Sequence, residues 1–150
     1  MGLLQTMASG MSIEMLTPER VTELWPVLEP HFEAACNGNE IAKDELDAKD
    51  IYVLAVAGVV AIFVGFEDGE PACVLGIQFN TTNGHRGADV MAMAGRGLMR
   101  FKRAYWRIIL DWLRANGVEF LDAYAPERLA KIYMNRFGFN KSCMYVRMAL

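Results

Sequence analysis

Residues 88–117 read ADVMAMAGRGLMRFKRAYWRIILDWLRANG, and three signals follow one another there. Val90, Met91 and Met93, with small alanines between them, make a short apolar segment that suits a buried strand. Gly95-Arg96-Gly97 is a turn. Phe101, Ala104, Tyr105, Ile108, Ile109 and Trp112 then recur at the helical interval, while Lys102, Arg103, Arg107, Asp111 and Arg114 fall largely off that stripe. Asn116-Gly117 stops the helix, since glycine past the last turn takes the left-handed conformation without steric cost. Strand, glycine turn and helix start form an arrangement that can hold a phosphate, because first-turn N–H groups point outward and carry partial positive charge. It is also ordinary α/β architecture. Arg96, Arg100, Lys102 and Arg103 favour the anion reading, because cations at a helix start oppose the macrodipole and an anion would offset that repulsion.

Working outward, 150 residues fit one domain, and a hydrophobic share of 53% indicates a well-packed core. A net charge of −3 argues against nucleic-acid binding as the main task, including through the basic face from Arg100 to Arg107. Cys36, Cys73 and Cys143 are odd in number and widely spaced, so the expectation is reduced thiols in a cytoplasmic protein, with neither a disulfide framework nor a metal site. Ile51–Phe66 lacks charge but is shorter than the roughly 20 residues that span a bilayer. It reads as a buried helix followed by a buried strand, with no membrane partner.

In chain order, residues 1–11 read as a flexible arm and residues 12–150 as a single domain. Ser12–Leu16 is a first strand, and Thr17-Pro18 starts a helix with an inner stripe of Val21, Leu24, Trp25, Leu28, Phe32 and Ala35. Pro26 and Pro30 predict a kink or two short helices. A second helix begins near Asp44-Glu45 and ends near Gly58. Val59–Glu67 and Ala72–Asn80 pair across an Asp68-Gly69 hairpin, and the second of them has cover on both faces. Thr81–Gly87 is a loop. Val118–Tyr124 is a strand, and a helix follows Pro126 with Leu129, Ile132, Tyr133 and Phe137 inward. Ser142–Leu150 alternates around Met144, Val146 and Met148 as a last strand. The class is α/β with a mixed sheet, in the order β-α-α-β-β-β-α-β-α-β.

That order, with Glu127–Phe139 (ERLAKIYMNRFGF) ending in Gly-Phe before a final strand, resembles the GCN5-related N-acetyltransferase superfamily over about Ile13–Leu150. More narrowly, Gly95-Arg96 before Arg100-Phe101-Lys102-Arg103, with Ile132-Tyr133-Met134 before Phe137-Gly138, resembles small acetyltransferase-like proteins of short-tailed bacteriophages. The resemblance implies an acetyl-CoA site at Ala94–Arg107. It differs from the family pattern in three places. Gly95-Arg96-Gly97 replaces the longer glycine loop. Met134, which has no proton to give, stands where the family has its acid tyrosine, with Tyr133 about 100° round the helix. Val90–Met93 holds no acid, so Asp89 is the nearest base, followed by Glu14, Glu33 and His85.

Two functions follow from the resemblance. One is acetyl transfer from acetyl-CoA to an amine acceptor. Met93 and Ala94 would supply strand N–H groups, Gly95 and Gly97 the turn, and Arg96 and Arg100 the pyrophosphate contacts. Tyr133 would be the acid, and Asp89 or His85 the base. Against these stand plainer readings: Tyr133 as core, His85 as a loop residue, Asp89 as a strand-edge charge. The other function is a non-catalytic protein that keeps the fold and binds a virion or host protein, with Trp25, Trp106 and Phe66 as interface anchors. A homo-oligomer is open under both.

Overall fold

The computed structural model describes residues 4–6, 10–38, 46–144 and 146–150, the first three through their backbone. Among the described residues six strands form one sheet in sequential order. They are β1 (Leu4–Thr6), β2 (Met11–Met15), β3 (Val60–Glu67), β4 (Glu70–Thr82), β5 (His85–Gly95) and β6 (Phe120–Ala123). Every neighbouring pair is antiparallel except β5 and β6, which run parallel. Helices α1 (Pro18–Asn37) and α2 (Ala48–Val56) connect β2 to β3, α3 (Leu98–Ala115) connects β5 to β6, and α4 (Glu127–Arg136) follows β6.

The helices cover both faces of the sheet. Val21, Leu28, Phe32 and Ile51 pack on Ile62, Val64, Val74 and Ala92. On the other face Phe101, Tyr105, Trp106, Ile109 and Leu113 pack on Phe63, Leu75, Ile77 and Val90. This explains the nearly continuous apolar character of β4. Val74 faces α1 and α2, whereas Leu75 and Ile77 face α3.

Local chemistry accounts for most element ends. Thr17 caps α1 by accepting from the Arg20 N–H at 3.2 Å, with Pro18 in the first turn. Asp47 and Asp50 form a reciprocal capping box at 2.9 and 3.2 Å that starts α2. The expected start at Asp44-Glu45 lies outside the described residues. The Asp68-Gly69 hairpin has positive φ at both positions, as the tight twisted turn requires.

Several expectations are corrected. Leu4–Thr6, inside the stretch read as an arm, pairs with β2. Pro26 and Pro30 lie within one helix of 20 residues. Both are exposed, while Val21, Leu28, Phe32 and Cys36 anchor the opposite side, so packing outweighs the lost N–H donors. The expected loop at Thr81–Gly87 is a two-residue turn, Asn83-Gly84, with φ of 50° and 79°, and both strands extend into it. On α4, Phe137 is buried at the end, Leu129 and Tyr133 are half-buried, and Ile132 faces solvent. Among the described residues of 142–150 there is no strand. Met144, Val146 and Met148 are 74%, 80% and 82% exposed. An alternating pattern needs a sheet edge to become a strand, and the described residues of this segment pair with none.

Trp106 lies off the predicted inner stripe and is buried. Its Nε1–H donates to the Phe137 carbonyl at 3.2 Å, and its ring meets Phe137 edge-on. Trp106 thereby fastens the end of α4 to α3. Phe66 is buried as well, and Trp25 stacks on Phe32. Trp106 and Phe66 therefore cannot serve as exposed anchors.

Among the described residues no helix is long and apolar enough to cross a membrane. The three thiols differ in access: Cys36 and Cys73 are buried and Cys143 is exposed. Burial pushes the Cys73 thiol up to about 11. In native protein, a thiol reagent is expected to react promptly with Cys143 alone and to reach the other two only in denaturant, because it needs an accessible thiolate. A count of fast-reacting thiols in buffer and in denaturant checks this.

Candidate active site

The site is built where β5 and β6 part. Their register runs Gly87↔Phe120, Ala88↔Leu121, Asp89↔Asp122 and Val90↔Ala123, and there it ends. β5 continues to Gly95, held on its other edge by β4 as far as Cys73↔Gly95. From Met91 to Gly95, the edge of β5 toward β6 has no partner strand among the described residues. Two features cause the parting. The register shift at Gly76/Ile77 leaves Met91 as an extra residue on β5, and such a bulge bends and twists its strand. Meanwhile β6 runs into Pro126, which caps α4 and has no N–H to continue a ladder.

At the top of β5 the turn is tight. The Arg96 N–H donates to the Ala72 carbonyl at 2.9 Å, and Gly95 has φ +117°. A Cβ on Gly95 would stand 2.3 Å from that carbonyl oxygen. Gly97 is left-handed at φ +71°, and α3 has no side-chain cap. The first-turn N–H groups of α3 are thus free of a side-chain acceptor, and Arg96 beside them is exposed. Leu98 and Met99 turn into the α3-side core rather than over the turn.

Arg100 is otherwise occupied: it forms an ion pair with Glu67 at the end of β3. That carboxylate gives the basic cluster part of the compensation expected from an anionic ligand. Met93 and Ala94 are half-buried on opposite faces of the open edge, Met93 toward α3 and Ala94 toward α1 and α2.

Asp89 lies one residue before the parting. Its Oδ2 accepts from Asn80 Nδ2 at 2.8 Å, and Asp122 is its register partner on β6. Burial raises its pKa above 3.8; the Asn80 hydrogen bond lowers it and the Asp122 charge raises it. A half-buried carboxyl at a strand divergence can exchange a proton with a group in the gap. Asn80 and Asp122 were not singled out by sequence. Asn80 opens the polar end of β4, Asn80-Thr81-Thr82, and Asp122 is the charged residue within β6.

The other candidates are scattered. His85 is exposed at the opposite end of β5, with Nδ1 at 3.0 Å from Glu119 Oε2. Ten residues of strand put it about 33 Å from Gly95. Glu14 is held by Arg20 at 3.3 Å, and Glu33 is exposed. Tyr133 is half-buried on α4 between Phe137 and Phe139, with ring centroids at 5.9 and 5.3 Å, and burial raises its pKa. The structure therefore groups Asp89, Met93, Ala94, Gly95, Arg96 and Gly97 along β5 and its turn. Tyr133 lies on α4 against Phe137 and Phe139, and His85 stands apart.

Several solved structures of acetyltransferases share this architecture. An aminoglycoside acetyltransferase from an uncultured soil metagenomic sample superposes with a TM-score of 0.68 at 15% identity, covering 93% of this chain and 98% of that one. A GCN5-related N-acetyltransferase from Ralstonia eutropha gives 0.67 at 15% identity, covering 93% and 99%. The chain has the GCN5-related N-acetyltransferase fold. A predicted acetyltransferase from Clostridium acetobutylicum, solved with acetyl-CoA, shares this fold with a TM-score of 0.64 at 10% identity, covering 93% and 96%. No protein-family model and no curated protein sequence matches the chain.

Proposed function

We propose that the protein is an N-acetyltransferase that moves acetyl from acetyl-CoA to an amine. The observation that carries this reading is the open edge of β5 from Met91 to Gly95, lying between the Asp89 carboxyl and the uncapped start of α3. Acetyl-CoA, when bound, supplies the acetyl group as a thioester. Met91–Gly95 would hold it by strand-like pairing, with N–H groups near Met93 and Ala94 polarising the reacting carbonyl. Arg96 and the first turn of α3 would hold the pyrophosphate. Arg100 contributes less, because Glu67 already neutralises it.

Asp89 takes the proton that the attacking amine must lose, with its Oδ2 fixed by Asn80. Tyr133 donates a proton to the departing thiolate, and burial keeps its phenol protonated until then. His85 has no part in this scheme. The reading as a non-catalytic virion or host-protein binder loses two of its three proposed anchors to the core.

The first test is calorimetric titration with acetyl-CoA. Wild-type protein is expected to bind in the micromolar range, and Arg96→Glu to weaken binding at least tenfold through charge reversal at the pyrophosphate. Tyr133→Phe should bind normally and lose turnover. No binding by the wild type at millimolar acetyl-CoA would defeat the proposal.

A further inference from the structure

The first turn of α3 is seated on the end of β3. Gly65 makes room for it, since a Cβ there would stand 2.7 Å from both the Cys73 Sγ and the Phe101 ring. Glu67 follows Gly65 by two residues and so shares the face toward α3. With Phe101 laid on Gly65, the neighbouring Arg100 meets the Glu67 carboxylate. Among the described residues neither of the two has another ion-pair partner.

The partners are unequally placed. The Arg100 side chain is 51% exposed and that of Glu67 27%, and the Glu67 Oε2 is buried without a hydrogen bond. A carboxylate so placed depends on the guanidinium, because a buried charge that loses its partner is left uncompensated. The hairpin adds Asp68 and Glu70, the latter opposite Glu67 in the β3–β4 register. Both are exposed, and their charge adds to the pull on Arg100.

A phosphate arriving at Gly97 and the first turn of α3 therefore meets Arg100 already engaged. It must take Arg100 from Glu67 or bind with Glu67 as a neighbouring like charge. We infer, on the reading of this turn as the pyrophosphate site of acetyl-CoA, that Glu67 is the positioning residue that sets cofactor affinity. It holds Arg100 against β3 and yields it only in exchange for phosphate, so its charge weakens binding.

Glu67→Gln tests this, because it keeps the size of the side chain and removes the charge. In calorimetric titration at low salt, acetyl-CoA should bind the variant about three- to tenfold more tightly than the wild type, the effect of one partly screened charge at close range. The gain should shrink as salt is raised. Glu67→Asp keeps the charge and should bind as the wild type does. Glu70→Gln removes an exposed charge from the same hairpin and should change affinity by less than about twofold. Arg100→Gln should cost the wild type little, yet cancel the gain in the Glu67→Gln background. A purely structural Glu67 would not produce that non-additivity.

Unchanged or weaker binding by Glu67→Gln, with the circular dichroism of the wild type, overturns the proposal. An equal gain from Glu70→Gln does so too, since it would reduce the effect to net charge. If acetyl-CoA binds neither the wild type nor the variant, the cofactor reading itself fails, and titration with inorganic pyrophosphate decides about Glu67. Tighter binding of pyrophosphate by Glu67→Gln supports the exchange at Arg100, and equal affinities or no binding refute it.

Discussion

Asp89→Asn is expected to lower kcat for acetyl transfer by about 100- to 10,000-fold, the range for removing a positioned general base, and to raise stability near neutral pH. The two effects have one origin. The Asp89 carboxyl is half-buried beside Asp122, and its folded pKa lies above the ordinary 3.8, chiefly because burial disfavours the charge. A group with a raised folded pKa contributes stability that is fully present below its unfolded pKa. That contribution is lost as pH rises through the folded value. Ionised Asp89 therefore costs stability at neutral pH, and none below 3.8. Asparagine keeps an oxygen to accept from Asn80 Nδ2 but can neither ionise nor take the amine's proton. Denaturant melts of both proteins, at neutral pH and below 3.8, should separate at the former and converge at the latter. A variant that melts below the wild type at neutral pH would show that the native site favours the charge. Unchanged turnover would remove Asp89 from the mechanism while leaving acetyl-CoA binding to be judged separately. A gain in stability paired with a loss of activity is what a site holding an uncomfortable charge for its chemistry should give.

The second large effect is at the turn. Gly95→Ala is expected to cost about 3–5 kcal/mol, combining backbone strain with forced overpacking. The φ of +117° lies where L side chains are rarely found. The added methyl would also meet the Ala72 carbonyl oxygen at 2.3 Å and the Cys73 Cα at 2.5 Å. Both are backbone atoms of a central strand, so neither can move aside as a flexible side chain would. Gly97→Ala is the control. Its φ is +71°, but its nearest contact is the end of the Arg100 side chain at 3.5 Å, so only the left-handed conformation is penalised, at about 1–2 kcal/mol. Equal melting midpoints for the two variants would show that the close approach of β5 to β4 is not what requires Gly95. The comparison also separates two meanings of the turn. Gly95 is explained by packing alone, whereas Gly97 and the uncapped helix start remain for an anion. Acetyl-CoA binding should therefore be read on Gly97→Ala, which keeps its fold, rather than on Gly95→Ala.

Local chemistry is enough to set most elements of this chain. The stripe Phe101, Tyr105, Ile109 makes α3, Thr17-Pro18 starts α1, Asp68-Gly69 turns β3 into β4, and Gly95-Arg96-Gly97 separates β5 from α3. Each is a matter of residues within one or two turns of each other, and such signals are written in sequence. Element order then suffices for the fold class. Where local signals misled, a distant contact outweighed them. Packing on the sheet carries α1 through Pro26 and Pro30. Trp106 turns inward to reach the Phe137 carbonyl. The described residues of segment 142–150, patterned as a strand, pair with no sheet edge. The site belongs to that second kind. Asp89 became a candidate by proximity in sequence, but its partners Asn80 and Asp122 come from two other strands. Arg100 read as a phosphate ligand until β3 brought Glu67 to it. The parting of β5 from β6, on which the proposed chemistry rests, depends on a bulge against β4 and a proline after β6 acting together. Pairing, register and burial join residues far apart in sequence, so these features could be decided only by the tertiary structure.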